Sequence, residues 1–300
     1  MKSAPIETAP PDKLTLLAFF LLVILGGSNA VAVRFSNLEL PPFWGAAFRF
    51  SAAALIFWLI LIGRRIPVPQ GRALLGASIY GALGFGVSYA LLYWALLSAT
   101  ATLTMVMLAL GPLLTFFLAW AHGLEAFRWR GLLGALVAFG GILLAVGDQI
   151  GSSLPLLPLL AILAGGVAIA EASVLYKFYP KGDPLAVNAV ALSIGALMLL
   201  LLSLLVGENW SLPGSSPTWI AFVYLVLVGS VLLFYLYLFV LEHWTASATS
   251  YSFLLFPVGT ILIAAWLTDE VITLRFLLGG AIVLLGVWVG ALTQPRNAQP

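Results

Sequence analysis

Residues 100–147, TATLTMVMLALGPLLTFFLAWAHGLEAFRWRGLLGALVAFGGILLAVG, and residues 245–292, TASATSYSFLLFPVGTILIAAWLTDEVITLRFLLGGAIVLLGVWVGAL, are two copies of one segment. At an offset of 145 residues and with no gap, Thr100, Ala101, Thr104, Pro112, Ala119 and Glu125 coincide with Thr245, Ala246, Thr249, Pro257, Ala264 and Glu270. Further along, Arg130, Leu132, Leu133, Gly134 and Gly141 coincide with Arg275, Leu277, Leu278, Gly279 and Gly286. Both copies are strongly apolar. An internally repeated, helix-rich membrane protein is the pattern of many secondary transporters.

Outward from that repeat, the composition agrees. The chain has 300 residues, 62% of them hydrophobic and only 8% charged. A soluble domain carries about a quarter charged residues, so a surface this poor in charge belongs in lipid. Ten apolar runs of bilayer-crossing length occur, at about 14–33, 42–62, 71–97, 100–122, 130–148, 155–177, 184–206, 217–241, 246–267 and 273–292. In lipid every backbone group must be satisfied within its own segment, which makes these runs helices. Alternating ten-residue strands, the mark of an outer-membrane barrel, do not occur. The expected fold is an all-α integral membrane protein of ten transmembrane helices. Its divisions are a tail at 1–13, five-helix repeats at 14–148 and 149–292, and a tail at 293–300. Helix 1 starts directly after Lys13 and reads as a retained anchor. There is no cysteine, so thiolate chemistry and disulfides are excluded. The polar stretches are too short for a soluble domain, and nucleic-acid binding is not expected.

Charge sets the orientation. With the N-terminus in the cytoplasm, Lys2, Lys13, Arg64, Arg65, Arg72, Arg128, Arg130, Lys177, Lys181 and Arg296 all lie inside, against Arg34 and Arg275 outside. Ten crossings return the C-terminus to the cytoplasm. Five helices per half is an odd number, so the second half enters from the opposite face. The Glu-x4-Arg-x-Leu-Leu-Gly segment therefore opens helix 5 on one side (Glu125 to Gly134) and helix 10 on the other (Glu270 to Gly279). This is a 5+5 inverted repeat. A weaker echo at an offset of 143 sets Arg34-Phe35 against Lys177-Phe178 and Pro41 against Pro184.

Several residues carry possible function. Pro112 and Pro257 are equivalent and sit about twelve residues into helices 4 and 9, where proline frees a carbonyl and bends the helix. They read as paired hinges or as static kinks. Glycines of helices 5 and 10 allow close packing, and those helices read as a scaffold or dimer surface. Ser28 and Asn29 lie deep in helix 1, Tyr89, Tyr93 and Trp94 in helix 3, Tyr235 and Tyr237 in helix 8, and Tyr251 and Ser252 in helix 9. Phenols away from the interfacial belts need partners, and a cavity lined by them suits a flat, mostly apolar substrate. The competing reading is that many of them face lipid or the belts. Arg49, about seven residues into helix 2, either snorkels to the outer interface or lines the outer vestibule and attracts a carboxylate. Glu171, near the inner end of helix 6, is a proton site, a partner for a substrate ammonium, or a wetted helix end. Glu125, Arg130, Glu270 and Arg275 read as caps at helix starts.

The residues then resemble a family. Gly26-Gly27-Ser28-Asn29-Ala30-Val31-Ala32-Val33-Arg34 resembles the WGSNFVAIK-type start of the drug/metabolite transporter superfamily. Arg49-Phe50 resembles its "RF" signature, and the paired Glu…Gly-x-x-Leu segments resemble the repeated motif of its EamA-type members. Gly26 stands where a tryptophan is usual, and Ala170-Glu171-Ala172 where many relatives carry an aromatic residue. Within the superfamily the chain is most similar to bacterial aromatic amino-acid exporters of the YddG type. That resemblance implies export of aromatic amino acids and similar small metabolites across a bacterial inner membrane. No catalytic cluster, metal set or nucleotide-binding loop occurs, so the expected protein is a secondary carrier and not an enzyme. No cofactor is expected. The expected partners are a small-molecule substrate and the lipid bilayer, the protein being a monomer or homodimer. The competing readings are a carrier of other metabolites or drugs and, less favoured, a channel-like uniporter. Accessibility labelling of introduced cysteines tests the topology: the Glu125 and Glu270 loops are expected on opposite faces of the bilayer, and labelling of both from one face removes the inverted repeat.

Overall fold

The computed structural model describes residues 12–36, 38–95, 97, 104, 107–146, 156–256 and 274–292. Among them the chain is helical, with no strand. The helices are α1 (Lys13–Ser36), α2 (Pro42–Arg64), α3 (Gly71–Ala95), α4 (Gly111–Ala121) and α5 (Trp129–Val146). In the second half they are α6 (Leu156–Tyr176), α7 (Pro184–Val206), α8 (Ser216–His243), α9 (246–256) and α10 (Leu274–Val287). A π-helical turn, Trp288–Leu292, extends α10. Among the described residues five helices, α2, α3, α6, α7 and α8, are long and apolar enough to cross a membrane. α1, α4, α5 and α10 supply shorter apolar stretches.

Local chemistry explains the matched helix ends. α2 and α7 each span 23 residues and each carry proline in the first turn, where the missing N–H costs no helical bond. Both end in the same way. Arg65 and Gly207 adopt left-handed φ values of 55° and 75°. The N–H groups of Arg65 and Ile66 reach Ile62 and Leu61, as those of Gly207 and Glu208 reach Leu204 and Ser203. These matches fall at an offset of 142 and pair Pro42, not Pro41, with Pro184. The sequence echo is thus one residue out of register here, because Asp183 occupies the N-cap that Pro41 holds in the first half.

Equivalent helices pack on each other in opposite directions. Early Gly134 of α5 meets the late Gly286 and Gly290 of α10, and late Gly141 meets the early Gly279 and Val283. The two glycine contacts exchange under the repeat, since Gly134 corresponds to Gly279 and Gly141 to Gly286. Lipid offers no hydrophobic force between helices, so association rests on close backbone packing of this kind. The expected scaffold role of α5 and α10 matches this contact. Their small-residue stripe is occupied between the halves, and Gly140 and Gly280 face open space. α2 and α7 also run antiparallel. The carboxylate of Glu208, just past α7, accepts from the N–H groups of Phe43 and Trp44 in the first turn of α2, at 3.1 and 2.6 Å. α1 packs on α8, and α6 packs on α3 in the symmetric position.

α4 is broken where a kink is expected. Leu108 is helical, Ala109 and Leu110 form a turn, and the helix restarts at Gly111 with Pro112 in its first turn. Pro257 and Glu270 lie outside the described residues.

A Cβ on Gly134 stands 2.5 Å from the Gly290 backbone, whereas one on Gly140 meets nothing within 4 Å. Gly134→Ala is therefore expected to destabilise by about 1–3 kcal/mol. Gly140→Ala is expected to be neutral or slightly stabilising, by about 0.5–1 kcal/mol. Thermal unfolding in detergent distinguishes the two.

Candidate functional site

Two helices lose their regular hydrogen-bond ladder at matched places. α3 is π-helical over Ala82–Val87 and α8 over Leu227–Leu232, 145 residues apart. The third residue of each is glycine, Gly84 and Gly229. A π turn offsets the carbonyl ladder and is frequent at functional sites. In α8 this backbone and the turn that follows it are engaged from two neighbouring helices. Arg49 of α2 donates through Nη2 to the Gly229 carbonyl at 2.6 Å and through Nε to Ser230 Oγ at 2.7 Å. Asn188 of α7 donates to the Phe234 carbonyl at 3.2 Å.

Arg49 neither snorkels nor opens onto a mouth; it is 2% exposed. Its guanidinium carbon lies 5.5 Å from the Phe50 ring and 5.9 Å from that of Phe234. The phenols of Tyr89 and Tyr93 are within its electrostatic reach. Phe50, Phe85, Tyr89, Tyr93 and Phe234 form one ring cluster, with centroid separations such as 4.7 Å for Phe50–Tyr89 and 6.0 Å for Tyr89–Tyr93. On α1, Ser28 bonds Tyr224 of α8 at 2.5 Å. Asn29 points its Oδ1 at the Gly229 backbone, 2.5 Å from where a Cβ there would stand. That oxygen is buried with no hydrogen-bond partner.

The structure thus brings Ser28, Asn29, Arg49, Tyr89 and Tyr93 around the middle of α8. Other expected residues lie elsewhere. Trp94 is 44% exposed and points away from the cluster. Tyr235 is half-buried, stacked on Phe239. Tyr237 bonds Ser173 of α6 at 2.8 Å. Tyr251 donates to the Gly131 carbonyl at 2.9 Å and joins α9 to α5. Ser252 Oγ is buried without a partner. Glu171 binds His122 Nε2 at 2.8 Å through Oε1, and its Oε2 is buried and unpaired. Glu125 caps α9 and not α5, as its carboxylate accepts from the Ser247 N–H at 3.1 Å and from the Ser247 hydroxyl. A cap supplied from 122 residues away is invisible to local spacing. Arg130 is exposed in the first turn of α5, and Arg275 is exposed in that of α10.

Sequence reasoning placed Lys177 and Lys181 on the inner face and Trp44 and Trp210 in the interfacial belts, but named no site at either end of the bundle. At the basic end a small open pocket of about 110 Å³ lies among Tyr176, Lys177, Lys181, Glu242 and Trp244. Lys177 donates to the Leu241 carbonyl and to that of Trp244 at 2.6 Å, capping α8, while Lys181 reaches the Glu242 carbonyl at 2.8 Å. At the other end, Glu39 accepts from the N–H groups of Gly214 and Ser215 at 2.6 and 3.2 Å. The Ser215 side chain, then the Gly214 N–H, hold its carboxyl below the usual range. There Trp44 stacks on Trp210 at 5.1 Å. The available signal was positional: these charges and indoles all sit at helix ends.

The EamA-like transporter family matches residues 13–147 and, a second time, residues 156–291. The uncharacterized transporter YyaM of Bacillus subtilis (strain 168) is 28% identical over 277 residues, 88% of this chain and 89% of that protein. The uncharacterized inner membrane transporter YedA of Escherichia coli (strain K12) is 27% identical, across 91% of this chain and 89% of its own. A solved crystal structure superposes with a TM-score of 0.77 over 93% of this chain and 96% of that one. At 21% identity that likeness is one of fold alone.

Burial, with Lys181 adding to it and Glu125 and Glu242 opposing, holds the Lys177 ammonium down to about 8 from an ordinary 10.5. Between those values the unfolded chain binds a proton that the folded chain does not, so stability through this group rises with pH. Below pH 8 the buried charge counts against the fold. Measured as thermal midpoints, the wild type is expected to gain on Lys177→Met between pH 8 and 10.5; a difference constant with pH contradicts this.

Proposed function

The chain belongs to the EamA-like transporter family and is a multi-pass membrane transporter of small molecules, and we propose that it exports aromatic or hydrophobic amino acids by alternating access. The carrying observation is the buried Arg49 guanidinium beside the Phe50–Phe85–Tyr89–Phe234 rings, between α2 of one half and α8 of the other. A fixed cation against aromatic walls suits a substrate with an anionic head and a flat apolar body. Intramembrane charges of this kind mark substrate pathways. The YddG-type resemblance of the helix 1 and helix 2 segments supports the same substrate class.

In this reading the halves 14–148 and 149–292 are inverted repeats of five spans each, with both termini in the cytoplasm of a bacterium and the bundle in its inner membrane. Two similar units facing opposite ways give inward-open and outward-open states of similar energy. The break before Pro112 supplies a hinge in the first half, and Pro257 is its counterpart by the repeat.

Proteoliposomes test the reading. Counterflow screened over aromatic and aliphatic amino acids and purine-like metabolites, with and without a pH gradient, is expected to be saturable and strongest for the aromatic amino acids. Saturable exchange of other solutes only would replace the substrate class. Voltage-driven, unsaturable current would replace the carrier.

A further inference from the structure

The middle of α8 is contacted from two sides by groups that complement the two ends of an α-amino acid. On one side is a cation. Arg49 has no carboxylate within ion-pair distance among the described residues, where the ion pairs are His122–Glu171 and Arg128–Glu125. The acidic residues of α1, α2, α3 and α8 and their immediate flanks are Asp12, Glu39 and Glu242, all at helix ends. A buried guanidinium satisfied only by neutral oxygens retains a strong preference for an anion, because charge-assisted bonds to a carboxylate are stronger than those to a carbonyl or hydroxyl. On the other side is an acceptor. Asn29 Oδ1 is buried, unpartnered and set against the same residue, Gly229, whose carbonyl Arg49 holds. A buried acceptor without a donor is costly, and a ligand N–H removes that cost.

The spacing is what joins them. A carboxylate and an ammonium on one carbon must be read by a donor and an acceptor only a few ångströms apart, and here both abut one glycine. Gly229 also has no side chain to part them: a Cβ there would stand 2.5 Å from Asn29 Oδ1. We propose that Arg49 and Asn29 are the carboxylate and ammonium subsites for a zwitterionic α-amino acid, with the Gly229 carbonyl and Ser230 hydroxyl holding the guanidinium when no substrate does. The assignment rests on the amino-acid transporter reading above and adds head-group recognition to it. It also couples binding to movement. A substrate carboxylate that takes the Nε and Nη2 hydrogens of Arg49 displaces Gly229 and Ser230 and frees the π segment of α8 from α2. In the second half the residue matching Arg49 at the α2–α7 offset is Ala191, whose backbone already lies against Gly81 of α3. The repeat therefore holds one such subsite pair, not two.

The test is competition in wild-type proteoliposomes exchanging labelled phenylalanine. Free phenylalanine is expected to compete about 10- to 100-fold better than phenylalanine methyl ester, which lacks the carboxylate, and better than N-acetylphenylalanine, which lacks the ammonium, by a similar factor. Arg49→Gln is expected to erase the ester discrimination and Asn29→Leu the N-acetyl discrimination, each leaving the other. Exchange in which ester and N-acetyl forms compete as well as free phenylalanine overturns the subsites while leaving the amino-acid reading in place. No saturable exchange of any amino acid overturns that reading and this assignment together. The wild-type measurements decide the matter even where a variant fails to fold.

Discussion

Backbone-to-backbone contact between equivalent helices sets the rest of the architecture. Neither half can be drawn to the other by water, because both faces already sit in lipid. Glycine at Gly134, Gly141, Gly279 and Gly286 lets α5 and α10 meet closely enough for dispersion to hold them, and the contact is self-complementary under the repeat. It is satisfied only when the two helices run in opposite directions. α2 and α7 add a polar version of the same constraint: Glu208 ends one helix and caps the start of the other. The helical frame of the first half then recurs in the second with its helices running the opposite way.

The interior departs from that symmetry around the candidate site. Both halves carry a π segment, but they are used differently. Around α3 it is packed shut: Gly195 meets Phe85, and Gly86 meets Met198. Around α8 it is held by Arg49 of α2, with Asn188 of α7 bonded to the turn that follows and the unpaired Asn29 of α1 set against Gly229. In the reading proposed above, the duplication supplies a nearly symmetric frame suited to moving between two facings, while Arg49 gives that frame one recognition site. Burying an unpaired charge is expensive, and a second one opposite the first would repel it.

Most of the frame was legible in the sequence because it rests on period and composition. Apolar runs, the 145-residue offset, and prolines and glycines at helix ends are local signals. The π segments are not, since they are changes of hydrogen-bond partner in stretches whose composition reads as ordinary helix. Within the candidate site, helical spacing held for Tyr89 and Tyr93, which share a face with Phe85. It failed for Trp94, which one further residue turns by about 100° toward the outside. Arg49 was found as an intramembrane charge, but its partners Gly229 and Ser230 lie about 180 residues on and carry no local mark. Glu125 was identified as a cap, and the helix it caps is 122 residues away in sequence.

The equal placing of the two π segments has a historical reading. A widened turn shifts the facing of everything beyond it, so gaining one independently in each half at the same position would require the same accident twice. The simplest descent is that the irregular turn already existed in a single ancestral unit, and that copying the unit carried it into both. The later changes were then substitutions on a fixed skeleton: an arginine kept or gained in one copy, an alanine in the other.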